Sequence, residues 1–207
     1  HVLASGRNVN ILVMDTEVYS NTGGQCSKAT PRGAIAKFAA NGKPLGKKDL
    51  GLIAMSYGNV YVAHVAYGAK DVHTLKTFLE AESFDGPSII IAYSPCVEHG
   101  YDMNKQHHQQ ELAVDTGHWP LYRYDPRRQD EGKNPLSLDS QKPSVHYREF
   151  VQNEPRFRGL VKSLNGDDGV ALEASYEKEL QKRFAIYEQM AGGSGTEKGG
   201  KKEPADA

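Results

Sequence analysis

Apolar residues fall along this chain in short runs whose spacing predicts alternating strands and helices. Asn10 to Met14 carries Ile11, Leu12, Val13 and Met14 without polar alternation, the pattern of a parallel strand buried on both faces. Val60-Tyr61-Val62-Ala63-His64-Val65 and Ser88-Ile89-Ile90-Ile91-Ala92-Tyr93 predict two further strands, and Leu121-Tyr122-Arg123-Tyr124 a last short one. Between them, Leu50 to Tyr57 reads as a short helix, and Asp71 through Ala81 as a helix capped by Asp71 with Val72, Leu75, Phe78 and Leu79 at helical spacing. Asn104 to Val114 reads as a polar helix, and Gly86-Pro87 breaks helix from strand. Alternation of this kind is what a parallel sheet with crossover helices requires, so an α/β fold is expected over residues 1–125.

Beyond Pro126 the pattern changes. Pro135, Pro143 and Pro155 separate loop segments, and Asp168 to Met190 reads as a long helix with Leu172, Tyr176, Leu180, Phe184 and Tyr187 on one stripe. Residues 126–190 are therefore expected to form a loop and helical extension that packs back on the sheet or wraps another part of a larger protein. Gly, Lys, Glu and Pro dominate residues 191–207 with no large apolar residue, the composition of a disordered tail.

Charge and cysteine usage narrow the class. With 25 basic and 26 acidic residues the net charge is −1, which provides no electrostatic footprint for nucleic acid or an anionic membrane. No run approaches the roughly 20 apolar residues that span a bilayer. Two cysteines, Cys26 and Cys96, are too few for a secreted disulfide scaffold, so a reducing compartment is expected. The opening His1-Val2-Leu3-Ala4-Ser5-Gly6 reads as the last turn of a helix ended by glycine, as expected of a fragment.

The chemistry concentrates in Asp15-Thr16-Glu17-Val18-Tyr19-Ser20-Asn21-Thr22-Gly23-Gly24-Gln25, directly after the first strand. Ligands of open α/β sheets gather beyond the carboxyl ends of strands. There Asp15, the Thr16 hydroxyl, main-chain carbonyls and the Asn21 amide offer the oxygen set of a hard cation such as magnesium, which can bridge a diphosphate. Cys96 also follows a strand, within Pro95-Cys96-Val97-Glu98-His99-Gly100; taken alone it reads as a small buried thiol. His107 and His108, with Glu111 nearby, read as solvated surface residues, since no third clustered ligand joins them. His64 reads as a hydrogen-bonded strand residue, His99 as orienting its loop, and Arg123 and Lys28 as solvated or salt-bridged.

The segment 15–25, continued by Ser27-Lys28-Ala29-Thr30-Pro31, resembles the thiamine-diphosphate motif of the pyruvate:ferredoxin (flavodoxin) oxidoreductase family. Gly46-Lys47-Lys48-Asp49-Leu50-Gly51, Phe78 to Ser83, Ala92 to Gly100 and Leu112 to Tyr124 are similar to the same family's C-terminal region, extending the resemblance to about Met190. The resemblance implies a partial thiamine-diphosphate-binding α/β fold. It also implies oxidative decarboxylation of pyruvate to acetyl-CoA and CO2, with electrons passing through iron–sulfur clusters to ferredoxin or flavodoxin. By the same resemblance, Thr16 through its hydroxyl and Val18 through its carbonyl are magnesium ligands. The loop of Thr16, Glu17, Val18, Tyr19, Ser20 and Asn21 binds the cofactor, and Asn21 lies nearest the reacting atoms. Cys96 becomes one of four ligands of a 4Fe-4S cluster, while Cys26 has no matching role. Implied partners are pyruvate, coenzyme A, ferredoxin or flavodoxin, the remaining domains of the parent enzyme and a second copy in a homodimer. The implied location is the cytoplasm or an organelle of anaerobic metabolism. The family's upstream Gly-Asp-Gly element, its thiamine-activating glutamate and the other cluster cysteines are absent from this sequence, so the fragment alone is expected to be inactive. A related 2-oxoacid:ferredoxin oxidoreductase and a non-catalytic binding or scaffolding remnant are the alternatives.

Overall fold

The computed structural model describes residues 1–163 and 166–192. Five strands, β1 (Val9–Asp15), β2 (Tyr61–Val65), β3 (Pro87–Tyr93), β4 (Tyr122–Tyr124) and β5 (Leu136–Leu138), form one sheet in the order β1-β3-β2-β4-β5. Seven helices accompany them: α1 (Leu50–Met55), α2 (Asp71–Glu82), α3 (Gln106–Asp115), α4 (Arg127–Asp130), α5 (Tyr147–Val151), α6 (Pro155–Ser163) and α7 (Gly166–Met190). The β1, β3 and β2 strands run parallel, with Ile11 opposite Ile89 and Val62 opposite Ile89 on the other side. β4 and β5 then add in antiparallel fashion, so the α/β expectation holds but the sheet is mixed. After α3 the chain returns through Trp119-Pro120 to pair β4 antiparallel with β2, and β5 forms that edge of the sheet.

Two sheet faces bury unequal cores. One packs Val62, Ile89, Ile91 and Tyr93 against Trp119, Leu121, Tyr122, Phe150, Phe157, Tyr176 and Tyr187. The stripe expected on the C-terminal helix therefore folds back on the sheet, with Tyr176, Phe184 and Tyr187 buried. The other face packs Tyr61, Ala63, Val65 and Ile90 against Ala81 and Phe84.

One expectation changes. β1 is an edge strand rather than a fully buried one: Ile11 and Val13 face the core while Leu12 and Met14 stand 48% and 60% exposed. On α2 the apolar stripe points outward, with Val72, Leu75 and Leu79 exposed, and Thr74, Thr77 and Ala81 face the sheet. The threonines fit there because their hydroxyls donate to the carbonyls of Lys70 and His73, at 3.0 and 2.9 Å, and carry no unmet polar group inside. Almost all of the expected disordered tail, residues 193–207, lies outside the described residues.

Candidate cofactor site

Because β1 and β3 are parallel neighbours, the loops after them emerge side by side at the carboxyl edge of the sheet. The Ser94 N–H donates to the Asp15 carbonyl at 3.0 Å, extending the pairing to the point where both loops depart. The segment 15–25 thus lies next to the Pro95 to Gly100 segment. Two contacts join them directly: His99 Nε2–H donates to the Thr16 carbonyl at 2.8 Å, and Cys96 Sγ lies 3.4 Å from Ser20 Oγ. His99 is fully buried, and burial, reinforced by nearby Arg156, pushes its pKa down, which favours the neutral ring that this donation needs.

Within the first loop the Thr16 hydroxyl donates to the Val18 carbonyl, with the two oxygens 2.9 Å apart. Adjacent ligands of an octahedral magnesium ion, each about 2.0–2.1 Å from the metal, are separated by about 2.9 Å. The pair therefore fits one edge of such a site. Both residues border an open groove of about 330 Å³ at the strand end, together with Met14, Asp15, Tyr19 and Lys28. Among the described residues no group of three His, Cys, Asp or Glu side chains forms a metal centre. Asp15, a candidate ligand by type, is occupied otherwise: one oxygen accepts from the Glu17 N–H at 2.9 Å and the other pairs with Lys47 Nζ at 2.6 Å.

The remainder of the loop is a tight hairpin. Tyr19 bridges Gln25, and the Gly24 N–H donates to the Tyr19 carbonyl at 2.9 Å. Gly23 and Gly24 adopt φ of +93° and +88°, and a Cβ on Gly24 would lie 2.3 Å from Glu98 Oε2, so glycine is required for this turn to close against the second loop. Tyr19, Ser20 and Asn21 are exposed at its tip.

Glu17 behaves differently from its neighbours. Its side chain is fully buried, with His118 Nε2–H donating to Oε1 at 3.1 Å, Arg156 Nη2 to Oε2 at 2.7 Å, and Lys47 Nζ 3.6 Å away. Burial raises its pKa, but His118, Lys47 and Arg156 outweigh that and hold the carboxyl well below the ordinary range. Arg156 also donates through Nε to buried Glu154 at 2.6 Å. Sequence reasoning missed this set, since its members lie 30, 101 and 139 residues from Glu17 and share no local spacing. Other candidates read as surface or support residues: His108 meets Glu111 at 3.5 Å in solvent, His64 bonds the Pro120 carbonyl, and Arg123 is held by Glu80 and Asp139.

Cys96 is 5% exposed and stands at the junction of the two loops, so a thiolate there can ligate a cluster seated beside the cofactor loop. It supplies one ligand where such a cluster takes four. Cys26 is half-buried against the Ser27 carbonyl.

No protein-family model matches the chain. Individual relatives do. It is 59% identical over 191 residues to a pyruvate-flavodoxin oxidoreductase of Nostoc sp., a match covering 92% of this chain and 16% of that protein. A pyruvate:ferredoxin oxidoreductase of Moorella thermoacetica is 52% identical over 193 residues, covering 93% of this chain and 16% of that protein. The sequence belongs to the pyruvate:ferredoxin (flavodoxin) oxidoreductase family. A mitochondrial pyruvate dehydrogenase [NADP(+)] of Euglena gracilis is 48% identical over 198 residues, 95% of this chain and 11% of that protein. The chain thus spans about one sixth of the length of the oxidoreductases it matches. No helix among the described residues is long and apolar enough to cross a membrane.

Proposed function

We propose that this chain supplies the magnesium and diphosphate edge of a thiamine-dependent pyruvate oxidoreductase, together with one thiolate of the 4Fe-4S cluster that takes electrons from it. The observation that carries this reading is the paired oxygens of Thr16 and Val18 at the end of β1, one loop away from Cys96. Thr16 Oγ1 and the Val18 carbonyl would hold the metal, and the loop from Thr16 to Asn21 beside the groove would take the diphosphate. Thiamine diphosphate, when bound, supplies the electron sink for loss of CO2 from pyruvate. The Asn21 amide donates to oxygen that becomes negative as the reaction proceeds. Glu17, Tyr19 and Ser20 shape the loop, and the Cys96 thiolate would ligate the cluster that takes up the electrons. Acetyl transfer to coenzyme A completes the turnover.

Relatives named for flavodoxin, ferredoxin and NADP share this region at 48–59% identity. That supports an acceptor choice made outside this segment, with ferredoxin or flavodoxin favoured for the parent protein by the higher identities. The remaining thiamine and cluster ligands come from the rest of the parent, which we read as a homodimer. The test is an anaerobic assay of the full-length protein. Reduction of ferredoxin or flavodoxin that depends on pyruvate, coenzyme A, magnesium and thiamine diphosphate is expected. Equal or better rates with 2-oxoglutarate would move the assignment to another 2-oxoacid, and no reduction with any 2-oxoacid would favour a binding role.

A further inference from the structure

Glu17 lies between the two proposed metal ligands yet turns away from the groove they face. Its φ of +60° is rare for a residue with a side chain, and it places the carboxylate inside while Thr16 Oγ1 and the Val18 carbonyl converge. Both of its main-chain groups are tied as well: the N–H to Asp15 Oδ1 at 2.9 Å, and the carbonyl to Thr30 Oγ1, which donates at 2.6 Å. The groups around the carboxylate come from three separate parts of the chain: Lys47 before α1, His118 before β4, and Arg156 on α6. A local turn would need none of them. We propose that Glu17 is a positioning residue, clamped by Lys47, His118 and Arg156, which holds the Thr16 and Val18 oxygens in metal-binding register and makes that register depend on docking of the C-terminal extension.

This inference rests on the magnesium role proposed above for Thr16 and Val18. The arrangement has the logic of an outer support for metal ligands, in which partners that never touch the metal set the orientation of those that do. Arg156 is central because it spans Glu17 and Glu154, both fully buried, through two different nitrogens. A lysine there keeps the charge but cannot make the same two directed contacts.

The test compares Glu17→Gln, Arg156→Lys and Thr16→Val in the full-length protein. Calorimetric titration with magnesium in the presence of thiamine diphosphate gives the affinity, hydrogen exchange reports on amides 16–24, and turnover is read at saturating cofactor. Loss of an outer support typically weakens metal affinity about 10–100-fold; that range is expected for Glu17→Gln and Arg156→Lys, with faster exchange in the loop, and for Arg156→Lys with turnover at saturation close to wild type. Arg156→Lys carries the test if Glu17→Gln does not fold. A lower melting temperature with unchanged magnesium affinity and loop exchange would mean a structural role only and overturn the proposal. Collapse of Arg156→Lys turnover at saturating cofactor would overturn it too, by tying the clamp to the reaction itself. If Thr16→Val weakens magnesium binding and Glu17→Gln does not, the positioning role alone falls. If Thr16→Val has no effect, the metal reading falls and this inference with it.

Discussion

A thiol and a hydroxyl 3.4 Å apart, Cys96 Sγ and Ser20 Oγ, join the two loops on which the functional reading depends. In the full-length protein, Cys96→Ser is expected to lower iron content and slow pyruvate-dependent ferredoxin reduction while CO2 release continues. Iron analysis and the two rates, measured on the same preparation, check this, and unchanged iron with wild-type ferredoxin reduction would remove Cys96 from the cluster. The strand-end position of Thr16, Val18 and Asn21 was legible in the sequence because they share one contiguous segment behind an apolar strand, and so was that of Cys96; the roles proposed for them came from the family resemblance. The inward turn of Glu17 was not legible, because its charge partners come from residues far along the chain and only the folded topology brings them to one point.

At the scale of elements, hydrophobic runs of four or five residues located β1, β2 and β3, while the three residues of β5 were too few to give a signal. Helical spacing located α2 without saying which face meets the sheet, and the structure turns the threonine face inward. The close approach of α1 to β4 is another feature that only the structure shows: a Cβ on Gly51 would lie 1.8 Å from Tyr122 Oη. Tyr122 is itself stacked on Tyr187, so it has little room to move. Gly51→Ala is expected to destabilise the chain by about 1–3 kcal/mol, the usual range for overpacking, as read by urea unfolding. An unchanged midpoint would mean the ring gives way. His64 gives a pH dependence. It stacks between Trp119 and Tyr122, and its Nδ1–H donates to the Pro120 carbonyl at 2.6 Å. Burial lowers its pKa to about 3, with the Pro120 hydrogen bond opposing only in part. The unfolded chain, with a histidine pKa of about 6.5, then binds more protons than the folded one between these values. Stability is complete above about pH 6.5 and is lost as pH falls toward 3; buried His99, also shifted down, acts in the same sense. Urea midpoints at pH 7 and 4.5 test this, and His64→Phe should show a smaller drop than wild type. An equal drop in both would exclude His64 as a source.

Considered whole, the molecule is a sheet whose helical extension packs into the main core, yet Leu12, Met14, Val72, Leu75 and Leu79 remain open to solvent along β1 and α2. Its sequence matches 16% of the length of the Nostoc and Moorella oxidoreductases, and the groove beside β1 carries only one edge of a metal site. The 207-residue chain alone is accordingly expected to bind thiamine diphosphate weakly and to reconstitute no intact cluster. Calorimetry showing micromolar binding, or a cluster spectrum from this chain by itself, would contradict that. The family and the α/β class were readable from the sequence since both rest on contiguous segments in order. The antiparallel edge was not, because it depends on how a short strand returns to β2. The most direct test of the central claim is pyruvate turnover by the full-length Asn21→Ala enzyme, measured anaerobically with magnesium and thiamine diphosphate saturating. Removing one donor aimed at developing charge is expected to lower turnover by about 10²–10³ with substrate binding less affected; turnover at the wild-type rate would contradict the account and leave the loop as a diphosphate cradle alone.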